Sequence, residues 1–151
     1  MDNGMNTFAP SVQYGRLGTV VYPTKTATTI VVTTALTPLT LTVAQILQGL
    51  LPVDCQDAAT ITTPSAVLLC AAIEGCQVGT SFDADVINYG DTTLTIGLGT
   101  GVTKKTIAGV AAVLTMITLV SKRLTFICTN ATKGSEAWEL WAFGSTAAPI
   151  A

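Results

Sequence analysis

The chain has 151 residues, a formal net charge of −2 and 11% charged residues, against roughly 25% in an average soluble domain. That length fits one domain with a real core, or one domain plus an arm, and the charge balance excludes a basic nucleic-acid footprint. With 49% apolar residues, a mean hydropathy of +0.57 and no histidine, the composition suits surfaces that close against other protein. It also leaves nucleophilic catalysis without its usual base.

Residues 1–25 are polar and irregular, punctuated by Gly4, Pro10, Gly15, Gly18 and Pro23. They read as an N-terminal arm ahead of a domain over 26–151. A disordered tail and an arm that orders on a neighbouring subunit both remain open. The first residues hold neither a basic stretch nor an apolar run, so export through a secretory signal is not expected. The β-branched run Thr26–Thr34 predicts a strand, and Leu39, Leu41 and Val43 continue the pattern. Thr42 then reads as the N-cap of a short helix that ends near Gly49, with Leu50-Leu51-Pro52 closing it. Ala59–Thr63 predicts another short strand.

Thr63 stands as a candidate N-cap before Pro64, and Ala66, Val67, Leu69, Cys70 and Ile73 give a helical apolar face ending at Gly75. So short a helix must lie on a β core. Ser81–Asn88 alternates, with Phe82, Ala84 and Val86 on one face and Asp83 and Asp85 on the other. Tyr89-Gly90-Asp91 predicts a turn into a returning strand marked by Leu94, Ile96 and Leu98, a β-hairpin. Val110–Val120 is apolar on both faces, which predicts a strand buried once in its own core and again under a second cover, a helix of the same chain or, as favoured, another subunit. The apolar stretch Ile107–Val120 is too short for a membrane span, which needs about 20 residues. Ser121-Lys122-Arg123 reads as a charged turn, Leu124–Asn130 as a strand, and Glu136–Phe143 as a last strand with Trp138, Leu140, Trp141 and Phe143. Roughly seven to nine short strands with turns between them predict an all-β, antiparallel β-sandwich, jelly-roll-like, with one or two short helices.

The chemical motifs are weak. Gly97-Leu-Gly99-Thr-Gly101 lacks the following helix of a dinucleotide loop, and Lys104-Lys105 do not complete a phosphate-binding spacing. Asp83, Asp85 and Asp91 are more simply a solvated face than a cation site, and nothing places Glu136 and Glu139 in a cleft. Cys55, Cys70, Cys76 and Cys128 contain no C-x-x-C pair, so free thiols packed as small hydrophobes are expected, with no metal and no cofactor; a Cys55–Cys76 or Cys70–Cys76 bridge stays open. No catalytic residue is assigned and no enzyme is expected. The residues expected to mediate self-association are Val113, Ile117 and Leu119, followed by Trp141 and Phe143.

The order of the pieces carries a resemblance. Leu47–Gly49, Thr62–Ala66, Gly79–Phe82, Ile87–Gly90 and Thr93–Gly101, within residues 40–143, resemble a small β domain of structural proteins from large double-stranded DNA viruses and some tailed phages. There the domain serves as a capsid, fibre-head or decoration module, often at the end of a longer chain. The resemblance implies a virion structural protein: a minor capsid, decoration or vertex component located in the capsid. It would form a homo-oligomer, with a trimer favoured over a pentamer, and dock on the major capsid protein. The alternative it implies is a receptor- or glycan-binding fibre head, using Tyr89 and the Gly97–Gly101 loop.

Overall fold

Short strands carry the chain back and forth between two sheets in the computed structural model, which describes residues 28–32, 39–107, 110–111 and 114–144. The elements in order are β1 (Ile30–Val32), β2 (Leu39–Thr40), α1 (Val43–Leu47), β3 (Leu50–Cys55), β4 (Ala59–Thr62), α2 (Ala66–Ala72) and β5 (Ser81–Asn88). They continue with β6 (Leu94–Gly97), β7 (Val102–Lys104), β8 (Thr106–Ile107), β9 (Val110–Ala111), β10 (Thr115–Met116), β11 (Val120–Asn130) and β12 (Ala137–Phe143). One sheet has the order β1-β3-β5-β11-β12-β7, the second β10-β6-β4-β2, and β8 and β9 form a small ribbon.

This order corrects the antiparallel sandwich and jelly roll. Strands β1, β3 and β5 are mutually parallel in the first sheet, as are β2, β4 and β6 in the second. Successive strands from β1 to β6 alternate between the two sheets, so the chain returns to each sheet running in the same direction as before. The result is three stacked coils: β1 with β2, β3 with β4, and β5 with β6. The second and third coils keep one register throughout, Val53 beside Asn88 in one sheet and Ile61 beside Ile96 in the other. Antiparallel pairing enters where β11 pairs with β5 and β12 with β11, and where β10 closes the second sheet on β6. Strand β7 then adds to β12 in parallel.

The predicted hairpin of β5 and β6 is likewise corrected, because the two strands belong to different sheets. Its expected turn is a corner stacked directly on the coil below. The Tyr89 N–H donates to the Val53 carbonyl (3.1 Å), and the Thr92 N–H (3.2 Å) and hydroxyl (2.9 Å) both donate to the Cys55 carbonyl. A Cβ at Gly90 would sit 2.0 Å from the Cys55 backbone nitrogen, so only glycine allows this contact. The glycine-rich loop does the same at the next corner. The Gly99 N–H donates to the Thr63 hydroxyl (2.9 Å), the Ala66 N–H donates to the Thr100 carbonyl (2.8 Å), and a Cβ at Gly99 would lie 2.4 Å from the Pro64 carbonyl oxygen.

Local chemistry explains the two helices. Thr42 and Gln45 form a reciprocal capping box at α1, with the Gln45 N–H donating to Thr42 Oγ1 (3.2 Å) and the Thr42 N–H to Gln45 Oε1 (2.8 Å). Ile46 anchors this short helix in the core. Ser65, rather than Thr63, caps α2, because Thr63 is buried and spends its hydroxyl on Gly99. Leu50-Leu51-Pro52 begins β3 instead of ending a helix. Its proline lies in the half of β3 that β1 does not reach, so the missing N–H breaks no ladder there.

The inward faces of both sheets form one apolar core. Leu51, Val53, Val86, Leu124, Phe126, Trp138 and Leu140 contribute from the first sheet, and Ile61, Leu94, Ile96 and Met116 from the second. Phe82 stacks on Phe126 at 4.8 Å and tilts against Trp138 at 5.5 Å. The predicted strand 110–120 is corrected as well. Its described residues form β9, β10 and a turn before β11, with Met116 and Val120 buried and Ile117 and Leu119 exposed. Lys122 and Arg123 lie within β11, not in a turn. The expected arm over 1–25 falls outside the described residues.

The stacked corner makes Gly90 far more sensitive than an open glycine. Gly90→Ala lowers the free energy of unfolding in urea by about 3 kcal/mol through backbone overlap with Cys55. Gly75→Ala meets no neighbouring atom and adopts φ +69°, so it costs only about 1 kcal/mol for the left-handed backbone.

Candidate functional site

The residues that pack α2 onto the first sheet converge on three cysteines. Cys70 lies in α2, Cys76 follows the left-handed Gly75 after that helix, and Cys128 lies near the end of β11. Cys76 Sγ is 3.1 Å from Cys70 Sγ and 3.9 Å from Cys128 Sγ, and all three sulfurs lie within 4.8 Å of one another. Cys128 is fixed by the ladder opposite Trp138, and its carbonyl and N–H bond to the Gly79 N–H (2.9 Å) and the Thr80 carbonyl (2.8 Å). The loop carrying Cys76 is thereby held beside the end of β11. The indole N–H of the buried Trp138 donates to Cys70 Sγ at 3.2 Å.

Cys70 and Cys76 also line an open cleft of about 700 Å³, whose walls include Val67, Glu74, Lys133 and Glu136. Burial, followed by the contacts with Cys70 and Cys128, pushes the Cys76 thiol up to about 12. The Cys128 thiol is also raised, first by burial. Three close sulfurs resist carrying charge together. Cys55 stands apart, buried, with its thiol donating to the Asp57 carbonyl at 2.9 Å. Sequence spacing did not group these cysteines, because α2 and the far end of β11 meet only through the sheet.

A second feature involves the residues expected to mediate self-association. Ile117 and Leu119 occupy the turn between β10 and β11, with exposures of 40% and 66%. Leu119 has φ 60° and is the one non-glycine residue with positive φ among those described. The turn is anchored from below, since the side-chain amide of buried Asn88 donates to the carbonyls of Thr92 (2.7 Å) and Met116 (3.3 Å). Val113 falls outside the described residues. Trp141 and Phe143 lie on the outer face of β12, stacked at 6.3 Å, with the Lys105 ammonium 5.5 Å from the Trp141 ring. Phe143 is 49% exposed and sits opposite Arg123.

The remaining sequence candidates have structural partners. Asp85 accepts from Arg123 Nε at 2.9 Å, and Asp83 accepts from the Thr125 hydroxyl at 2.6 Å, across the outer face of β5 and β11. Glu139 pairs with Lys105 at 3.0 Å, while Glu136 accepts from the Gly134 N–H at 2.9 Å, so the two glutamates serve different neighbours. Lys122 points inward and donates to the Gly144 carbonyl at 3.4 Å, and burial holds its ammonium below the ordinary lysine range. Tyr89 is exposed, and Gly97, Gly99 and Gly101 are all packed tightly against neighbouring atoms. Among the described residues, no helix is long and apolar enough to cross a membrane.

Comparison with protein-family models, with curated proteins and with solved structures finds no match in any of the three.

The raised Cys76 thiol has a kinetic signature. Although Cys76 is only half-buried, iodoacetamide at pH 8 alkylates it about 100-fold or more slowly than free cysteine, because the thiolate is the reactive form. Its rate climbs as pH rises toward 12, which peptide mass mapping over a pH series measures.

Proposed function

We propose that this chain is a self-associating structural protein of a virus particle, a minor capsid, decoration or vertex component built as a homotrimer. The observation that carries self-association is the exposed apolar turn at Ile117 and Leu119. A leucine held in the left-handed region costs on the order of 1–2 kcal/mol. Here that strain presents an apolar side chain to solvent. Strain of this kind points to a contact outside the chain. Phe143, exposed on the outer face of β12, offers a second apolar contact near the start of β11.

The low charge of the chain supports the same reading, since few ionic groups need desolvation when copies meet. The virion setting and a major capsid protein as docking partner rest on the resemblance of residues 40–143. In this reading Ile117 and Leu119 lie at the self-contact.

Mass measurement in solution tests the proposal. The unmodified protein runs as a trimer and Ile117→Asp as a monomer with an unchanged circular dichroism spectrum. Leu119→Gly separates strain from contact: it raises the stability of the isolated chain by about 1 kcal/mol while weakening association. An unmodified protein that stays monomeric at high micromolar concentration sinks the reading.

A further inference from the structure

We infer that Cys70, Cys76 and Cys128 form a binding site for a thiophilic d¹⁰ cation of the zinc(II) type, with three sulfur ligands and one position open to the cleft. The geometry is close to what such an ion requires. A metal–sulfur bond of about 2.3 Å in a tetrahedral site places sulfurs about 3.8 Å apart. The present sulfur contacts are 3.1 Å and 3.9 Å, and all three atoms lie within 4.8 Å. Binding therefore requires adjustments of an ångström or less.

The three ligands come from differently constrained elements. Cys128 is held by β-ladder pairing and Cys70 by the helix, whereas Cys76 follows a glycine turn that can yield. The Trp138 indole N–H on Cys70 Sγ matches the outer contact that orients a sulfur ligand. A buried indole needs an acceptor, and a metal-bound thiolate accepts more strongly than a neutral thiol. Cys70 and Cys76 line the cleft, so an ion reaches the sulfurs from solvent and the fourth position faces water or Glu74 and Glu136 on the walls.

A disulfide explains less of this arrangement. A Cys70–Cys76 bond would leave Cys128 Sγ without a role at 3.9 Å from Cys76. Binding involves no redox change. Each ligating thiol releases its proton to solvent, and three thiolates with a divalent ion leave one net negative charge. Lys133 on the cleft wall supplies a nearby cation.

The test titrates the full chain, reduced and metal-free, with Cd²⁺ as the probe. The ultraviolet sulfur-to-cadmium charge-transfer band and elemental analysis are read together. The expected result is saturation at one Cd²⁺ per chain. Cys76→Ser, a half-buried position, reduces the band by about a third and weakens binding by more than about 100-fold, because losing a ligand costs more than the roughly 10–100-fold typical of losing an outer contact. Cys55→Ser binds as the unmodified chain does. A reduced chain that takes up no Cd²⁺ overturns the inference. Undiminished binding by Cys76→Ser, with circular dichroism showing both proteins folded, overturns it as well. So does a Cys70–Cys76 disulfide that survives reductant and excludes Cd²⁺.

Discussion

Direct backbone contact between successive corners is the constraint on which the architecture depends. Parallel coils stack only if each corner can rest on the one before it, and the ladders between them must keep register through that corner. Gly90 on Cys55, and Gly99 on Thr63 and Pro64, meet this demand by removing the side chain where two backbones touch. The Thr63 hydroxyl then accepts from the Gly99 N–H, and the Thr92 hydroxyl adds a second hydrogen bond to the Cys55 carbonyl. With the corners fixed, Val53 beside Asn88 and Ile61 beside Ile96 follow, and the inward residues of both sheets face one core.

Local structure was legible in the sequence where the signal was local. Ser81–Asn88 alternates, and β5 spans those residues. Thr42 was readable as a cap from its own side chain and position. Strand pairing was not legible, because a corner leading to the opposite sheet and a turn leading back use the same residues. Tyr89-Gly90-Asp91 is such a case. The coil repeat was also masked in the sequence, since α2 and its following loop make the connection from β4 to β5 much longer than the one that α1 makes from β2 to β3. Leu50-Leu51-Pro52 misled for a related reason: a proline argues against a strand unless one side of that strand is uncovered, and only pairing reveals the uncovered side.

The candidate sites divide in the same way. Ile117 and Leu119 were readable as surplus apolar residues, although the two-faced strand imagined for them is a strained turn held by Asn88. The thiol cluster depends on tertiary structure: Cys70 and Cys76 are near in sequence, but Cys128 reaches them only because β11 runs the length of the sheet. The two features also use opposite means. The turn exposes apolar surface on a strained backbone, whereas the thiols gather soft polar atoms beside a cleft, with Cys70 held by a helix and Cys128 by a ladder.

Parallel pairing also sets a timetable for folding. Strands β11 and β12 are joined by a short link and pair antiparallel, so they can meet early. Each parallel ladder must wait until a whole coil has been laid down and its corner closed. In synthesis from the N-terminus, β5 emerges with its outer edge unpaired and stays so until β11 arrives to cover it. Until then the growing chain exposes a strand edge able to pair with a strand from another chain. The long, alternating β11 is therefore both the centre of the finished sheet and the element that ends this interval of exposure.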